Sequence, residues 1–235
     1  MAKKRSSPYM TPGEQIAGVT FFVIYLLVLP FAAEPLLGLV ERLFAARFTA
    51  AQESMLYYGI LAAVTLVIFH KYLGRTTRLL FDRLGEAART ALLGLVGLYG
   101  LNELCWRTGK LVISNPANLN DSTISAQIQD LPQATFLILV VLAPFVEEAL
   151  FRGLVFGNLK AKSRTFAYLA SAALFAAFHV WQFAAVHQDV AHFVLCLQYM
   201  VPGAVLAWAY ERSGTLWSAI GIHAAANALA ALYLL

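Results

Sequence analysis

Residues 136–156 read FLILVVLAPFVEEALFRGLVF, an apolar run broken only by Pro144 and by three charges, Glu147, Glu148 and Arg152. A bilayer span needs about 20 mostly apolar residues, and a charge at its centre costs roughly 2.5–3.5 kcal/mol on insertion scales. The stretch is therefore read as a membrane helix that keeps its charges for a purpose. The whole chain agrees with that reading. Of its 235 residues, 60% are hydrophobic and 13% charged, and mean hydropathy is +0.68. A soluble domain has roughly 45–50% apolar and 25% charged residues. Disorder, a fibrous repeat and an ordinary water-soluble globule are excluded.

Outward from this helix, seven apolar segments are predicted, at residues 16–40, 55–73, 90–106, 134–157, 166–183, 191–210 and 216–235. The expected fold class is all-α, a polytopic transmembrane helical bundle of seven to eight spans. It divides into an amino-terminal part, 1–133, of transmembrane helices and an external loop, and a carboxy-terminal core, 134–235, within one integral membrane domain. The first segment is too long for a signal-peptide core and lacks a following small-residue cleavage site, so it is read as a retained span. After Pro30 and Pro35 it is expected to turn into a separate interfacial helix within 36–50, because Leu36, Leu39, Val40, Leu43 and Phe44 share one face. The stretch 107–133, with turn formers Asn115, Pro116, Asn118, Asn120 and Asp121, is expected to be an external loop. Gly94, Gly97 and Gly100 are expected to let another helix approach closely.

The basic residues fix an orientation. With the amino terminus in the cytoplasm, twelve fall on the inside: Lys3, Lys4 and Arg5, five between residues 71 and 89, three between 160 and 164, and Arg212. Only Arg42, Arg47, Arg107 and Lys110 fall outside, as the positive-inside rule requires. The pI near 9.1 is thus a matter of topology, and no nucleic-acid partner is implied. Cys105 and Cys196 form neither a disulfide framework nor a metal-binding spacing.

Ionisable and amide side chains inside spans concentrate in three places. Glu147 and Glu148 are adjacent, so their side chains point about 100° apart on a helix and are suited to different tasks. Glu148 and Arg152 are four apart and share a face, which allows a charge-assisted pair. Glu147 is left to meet another helix, where desolvation suits it to proton traffic. The plainer alternative is one buried salt-bridge network joining helices. Phe175-Ala-Ala-Phe-His179 places a histidine in the next span, and His223-Ala-Ala-Ala-Asn227 puts a histidine and an amide on one face of the last. Each could be a packing residue or helix–helix glue. Together they form a set able to activate water and to stabilise an oxyanion, which suffices for peptide hydrolysis without a covalent intermediate. His, His and Glu could alternatively hold zinc with an open position for water. No His-Glu-x-x-His, no Gly-x-Ser-x-Gly elbow and no convincing cysteine nucleophile is present. His70 reads as an interfacial anchor, His187 and His192 as loop residues beside Asp189, and Glu34, Asn102 and Glu103 as turn or packing groups.

Glu-Glu-x-x-x-Arg, Phe-x-x-x-His and His-x-x-x-Asn, in this order and each in an apolar span, resemble the motifs of the CAAX-protease and bacteriocin-processing (CPBP or Abi) family of multi-span membrane endopeptidases. Leu216-Trp217-Ser218 before His223 resembles the approach to its third motif. The resemblance covers about residues 134–235. It implies Glu147 as the water-activating carboxylate assisted by His179, with His223 and Asn227 stabilising the oxyanion. It implies Glu148 and Arg152 as supporting residues and Phe175 as packing beside His179. It implies no cofactor, with zinc as the alternative, and a peptide or protein substrate at the lipid bilayer of the cell membrane. As substrate the resemblance implies a prenylated CAAX protein or, in a bacterial-type member, a bacteriocin or pheromone peptide. A non-catalytic peptide-binding, immunity or scaffold protein with a retained site is the alternative function. Transport is disfavoured, because the in-span polar groups sit in one half without matching broken helices in the other.

Overall fold

The computed structural model describes residues 9–109, 119–187 and 195–234. Among these the chain forms eight helices and no strand: α1 (Pro12–Phe44), α2 (Ala50–Asp82), α3 (Leu84–Gly109), α4 (Leu119–Asp130), α5 (Pro132–Lys160), α6 (Arg164–His187), α7 (Leu195–Ser213) and α8 (Leu216–Leu234). By length and composition α1, α2, α5 and α8 are long and apolar enough to cross a membrane. The chain is an all-helical membrane protein, as its apolar runs predict.

The helix starts follow from local chemistry. Thr11 and Glu14 form a capping box with Pro12 in the first turn of α1, and Thr49 with Gln52 does the same for α2. The turn into α8 uses Gly214 at φ +73°, a left-handed conformation that glycine adopts without a Cβ penalty. Ser213 and Thr215 flank it. Thr76 of α2 accepts a hydrogen bond from the Leu216 amide at 2.7 Å and exchanges further bonds with Thr215, so the start of α8 is pinned to α2.

Two expectations are corrected. The first segment does not turn into a second helix after its prolines: α1 runs unbroken from Pro12 to Phe44. A π-helical turn over Ile24–Val28 precedes Pro30, and the Leu29 amide bonds back to Ile24. Pro30 then occupies the first turn of the following α-helical stretch, where no amide donor is required. Its 33 residues measure about 50 Å, well beyond a 30 Å hydrocarbon core. Leu36, Leu39, Leu43 and Phe44 are all exposed on its last turns. The stretch 107–133 is likewise not a loop throughout, because α4 occupies Leu119–Asp130. Its sequence lacks an apolar stripe and gives no helical period, and it is held by a few contacts. Ile128 is buried, Gln127 Nε2 donates to Ser54 Oγ at 2.8 Å, and Thr135 Oγ1 donates to the Gln127 carbonyl at 2.9 Å. Asn115, Pro116 and Asn118 lie outside the described residues, as do His192 and Asp189 and the side chains of Asn120, Asp121 and His187.

α5 is the central helix. It packs on α6 and α8 and touches α1, α2 and α7, and its core-facing residues include Val146, Leu150, Phe151, Leu154 and Phe156. Close approach elsewhere depends on small residues. A Cβ on Gly203 of α7 would lie 2.9 Å from the Cα of Ala172 in α6, and one on Gly94 of α3 would run into Ile222 of α8. Gly97 and Gly100 face open space, so the three-glycine stripe serves one contact through its first member. α2 departs from helical geometry at Phe69 (φ −103°, ψ 17°). There Phe69 fills the space above Gly18 of α1, while the Tyr72 amide donates to Glu14 Oε1 at 2.6 Å.

Candidate active site

Glu147, Glu148 and Arg152 sit where α5 leaves α-helical geometry. The segment Ala143–Glu148 is α-helical, while Ile138–Leu142 before it and Ala149–Phe156 after it are π-helical. Wider turns of this kind are frequent at functional sites, because they re-aim side chains that a regular helix would hold in register. All three charged side chains are buried, Glu148 and Arg152 at 0% exposure.

Arg152 fixes one half of the cluster. Its Nη1 donates to Glu148 Oε1 at 3.0 Å and its Nη2 to the Gly203 carbonyl at 3.2 Å, and its guanidinium lies 4.3 Å from the centre of the Phe175 ring. The charge is thus met by a carboxylate, a backbone dipole and a π-face in a medium where an unpaired ion is expensive. Glu148 Oε1 also accepts from His223 Nδ1 at 2.8 Å. Glu148 therefore ties α5 to α8, while Arg152 ties it to α7.

Glu147 faces the other way. Its Oε2 is buried and makes no hydrogen bond, yet it lies 3.7 Å from His179 Nε2 and 4.0 Å from His223 Nε2. His179 Nδ1 is 2.8 Å from the Phe175 carbonyl, which can only accept, so Nδ1 carries the hydrogen and neutral His179 presents a lone pair at Nε2. In His223 too Nδ1 carries a hydrogen, which points to the Glu148 carboxylate. Three atoms from three helices, one carboxylate oxygen and two imidazole nitrogens, thus converge at distances too long for direct bonds.

Each residue expected from the sequence can now be placed. Glu147, Glu148, Arg152, Phe175, His179 and His223 come together. The ring of Phe175 lies 4.5 Å from that of His179 and 5.9 Å from that of His223. Asn227 stands one turn beyond His223, and its Nδ2 donates to the Leu139 carbonyl at 2.9 Å. That carbonyl belongs to the first π-helical turn of α5, so one of the two amide hydrogens of Asn227 holds helices together. His70 caps its own turn through the Val67 carbonyl at 3.0 Å, and Glu103 pairs with Arg107 at 2.7 Å. Neither is part of the cluster. Among the described residues no group of three or more His, Cys, Asp or Glu side chains is arranged to hold a metal ion.

The structure adds residues that motif spacing does not mark. Tyr199 of α7 stacks on His179 with ring centres 4.6 Å apart and planes at 21°. Phe178 meets the same imidazole edge-on at 5.5 Å, and Tyr25 of α1 stacks on Phe178 at 4.6 Å. An aromatic row thus runs from α1 to α7 through His179. In the sequence these residues are ordinary members of apolar runs, and only their aromatic character sets them apart.

A family model described as type II CAAX prenyl endopeptidase Rce1-like matches residues 130–229, the segment from the end of α4 to within α8 that contains every charged and polar residue of the cluster. No curated protein and no solved structure matches the chain. The match supports a CAAX-type membrane protease kind of function. Residues 130–229 are thus similar to the type II CAAX prenyl endopeptidases of the Rce1-like family, and with the three motifs the match supports membership of the CPBP family.

Proposed function

We propose that the protein is an intramembrane endopeptidase that hydrolyses a peptide bond of a membrane-associated or lipidated substrate with water activated by Glu147 and His179. One observation carries this reading: the buried, unpaired Oε2 of Glu147 faces two imidazole Nε2 atoms at 3.7 and 4.0 Å. Polar atoms at such spacing are suited to share a small molecule between them, and three partners are what an ordered water takes.

In the proposed reaction Glu147 accepts a proton from that water while the water oxygen bonds to the carbonyl carbon. The carbonyl π pair moves to oxygen. His223 in its doubly protonated form, supported at Nδ1 by Glu148, donates from Nε2 to this oxyanion, and the free hydrogen of Asn227 Nδ2 is a second donor. With His223 charged, Glu147, Glu148, Arg152 and His223 sum to zero, which a low-dielectric bundle favours. When the carbon–nitrogen bond breaks, Glu147 returns its proton to the leaving amine.

We further propose seven or eight spans with the amino terminus in the cytoplasm, a cell-membrane location and a metal-independent mechanism. A specific observation also favours a zinc enzyme as a second reading. Both histidines donate Nδ1–H to an acceptor and leave Nε2 free, as metal-ligating histidines do. Metal analysis of protein purified without added zinc separates the two, and about one zinc per chain, the occupancy of a catalytic site, would overturn the metal-independent reading.

The decisive experiment uses purified protein in vesicles and a farnesylated peptide with a CAAX ending. Glu147→Gln is expected to lower turnover by about 10²–10⁴-fold, the range for loss of a general base. Its thermal midpoint should not fall, because Oε2 has no bond to lose. Undiminished turnover by this variant would sink the proposal.

A further inference from the structure

The mechanism leaves several buried polar groups unused, the Thr65 and Thr90 hydroxyls among them, and one of these groups lies beside the catalytic cluster. Tyr25 of α1 is 0% exposed, and its hydroxyl makes no hydrogen bond among the described residues. A buried donor without a partner is destabilising and calls for an explanation. Two observations place this one beside the catalytic cluster. Its ring stacks on Phe178, which in turn packs edge-on against the His179 imidazole. Tyr25 also lies within the π-helical turn Ile24–Val28, the only such turn described outside α5.

We infer that Tyr25 is a substrate-contacting residue, its hydroxyl donating a hydrogen bond to the carbonyl oxygen of the bound peptide that is attacked, so that the amino-terminal half of the chain completes the active site. The chemistry fits the position. The neutral donors near the cluster are few, and one hydrogen of Asn227 is already engaged by Leu139. A phenol donates well, ionises far above neutral pH and brings no further charge into a cluster that already balances its own. A peptide carbonyl entering beside Glu147 gives the Tyr25 hydroxyl the partner that the protein does not. The inference rests on the proteolytic reading and extends it beyond residues 130–229.

The test compares wild type, Tyr25→Phe, Tyr25→Leu and Glu147→Gln in vesicles, measuring both cleavage and binding of the farnesylated CAAX peptide. Tyr25→Phe keeps the ring stack and removes no bond within the protein, so its thermal midpoint should be unchanged. Its kcat/KM is expected to fall at least 10-fold, mainly in kcat, with peptide affinity several-fold weaker. Equal losses in the Phe and Leu variants assign the effect to the hydroxyl. Wild-type kcat/KM in Tyr25→Phe, with a loss only in Tyr25→Leu, overturns the inference while leaving the proteolytic reading intact. If wild type binds the peptide without cutting it, proteolysis fails, and the affinity of Tyr25→Phe alone decides the contact. Absence of both binding and cleavage overturns both.

Discussion

Helices α1 and α5 are both long apolar rods carrying prolines and a π-helical turn, yet they are used in opposite ways. Over the span-length window of α5, 56% of residues are buried; over that of α1, 17% are. α1 turns Leu27 and Phe31 outward at 62% and 69% exposure, as a lipid-facing wall does. α5 is enclosed by other helices and holds Glu148 and Arg152 away from any solvent. Hydrophobicity thus says that both belong in a membrane but not which one is central. That distinction is written in the charges, because a buried ion requires partners on several sides and hence neighbouring helices on several sides.

The sharpest way to break this comparison is to remove the ion that organises α5. Arg152→Met leaves Glu148 buried with His223 as its remaining partner and removes the side-chain bond to the Gly203 carbonyl. A loss of about 3–5 kcal/mol is expected, the usual consequence of breaking a buried ion pair from one side. Reversible unfolding in mixed detergent measures it. Arg152→Met combined with Glu148→Gln should recover part of the loss, because no uncompensated charge remains. Equal stability of wild type and Arg152→Met would mean that the charges do not hold α5 in place.

A smaller effect tests packing alone. Leu150 of α5 is 0% exposed, and Leu150→Ala should cost about 2–5 kcal/mol through lost contacts and a residual cavity. Leu27→Ala in α1 should stay within about 0.5 kcal/mol, as substitutions away from packed features do. The same unfolding assay reads both, and comparable losses at the two sites would remove the distinction between core and wall.

How much of this was legible beforehand follows the same division. Glu147, Glu148, Arg152, His179 and His223 were visible because polar residues in apolar runs stand out one by one, and the four-residue spacing of Glu148 and Arg152 survives in the structure as a 3.0 Å pair. The different aims of the two glutamates, whose side chains leave a helix about 100° apart, also followed from helix geometry. Tyr25 and Tyr199 were not legible, since an aromatic in an apolar span has no distinguishing period and its place at the cluster depends on how helices distant in sequence assemble. The π-helical turns were hidden too, as nothing in the residue pattern marks a one-residue change in hydrogen-bond register. α4 escaped notice because its polar sequence has no apolar face, and the unbroken course of α1 because Pro30 directly follows a π-helical turn and Pro35 is accommodated inside the helix.

The smallest expected effect lies at the far end of the same helices, where α5, α6 and α7 meet water. Glu211 of α7 accepts from Arg164 Nη2 at 3.0 Å and from the Tyr168 hydroxyl at 2.6 Å, and pairs with Lys160 Nζ at 3.0 Å. Partial burial pushes its carboxyl up, but the hydrogen bonds from Arg164, Tyr168 and Lys160 outweigh this and bring it down to about 2 from an ordinary 4.5. A depressed carboxyl stabilises the folded state above the unfolded value, and the contribution is lost as pH falls from 4.5 towards about 2. Exposure of Arg164 and screening by solvent hold the gain to under about 1 kcal/mol. Glu211→Gln should therefore be slightly less stable than wild type at pH 7, and the two should converge as pH drops through that window. Raising salt to 1 M at pH 7 should shrink the difference as well, since a pair at the surface is screened and a pair such as Arg152–Glu148 is not. A salt-insensitive loss at Glu211, or a salt-sensitive one at Arg152, would reverse the assignment of inside and outside on which the comparison of helices rests.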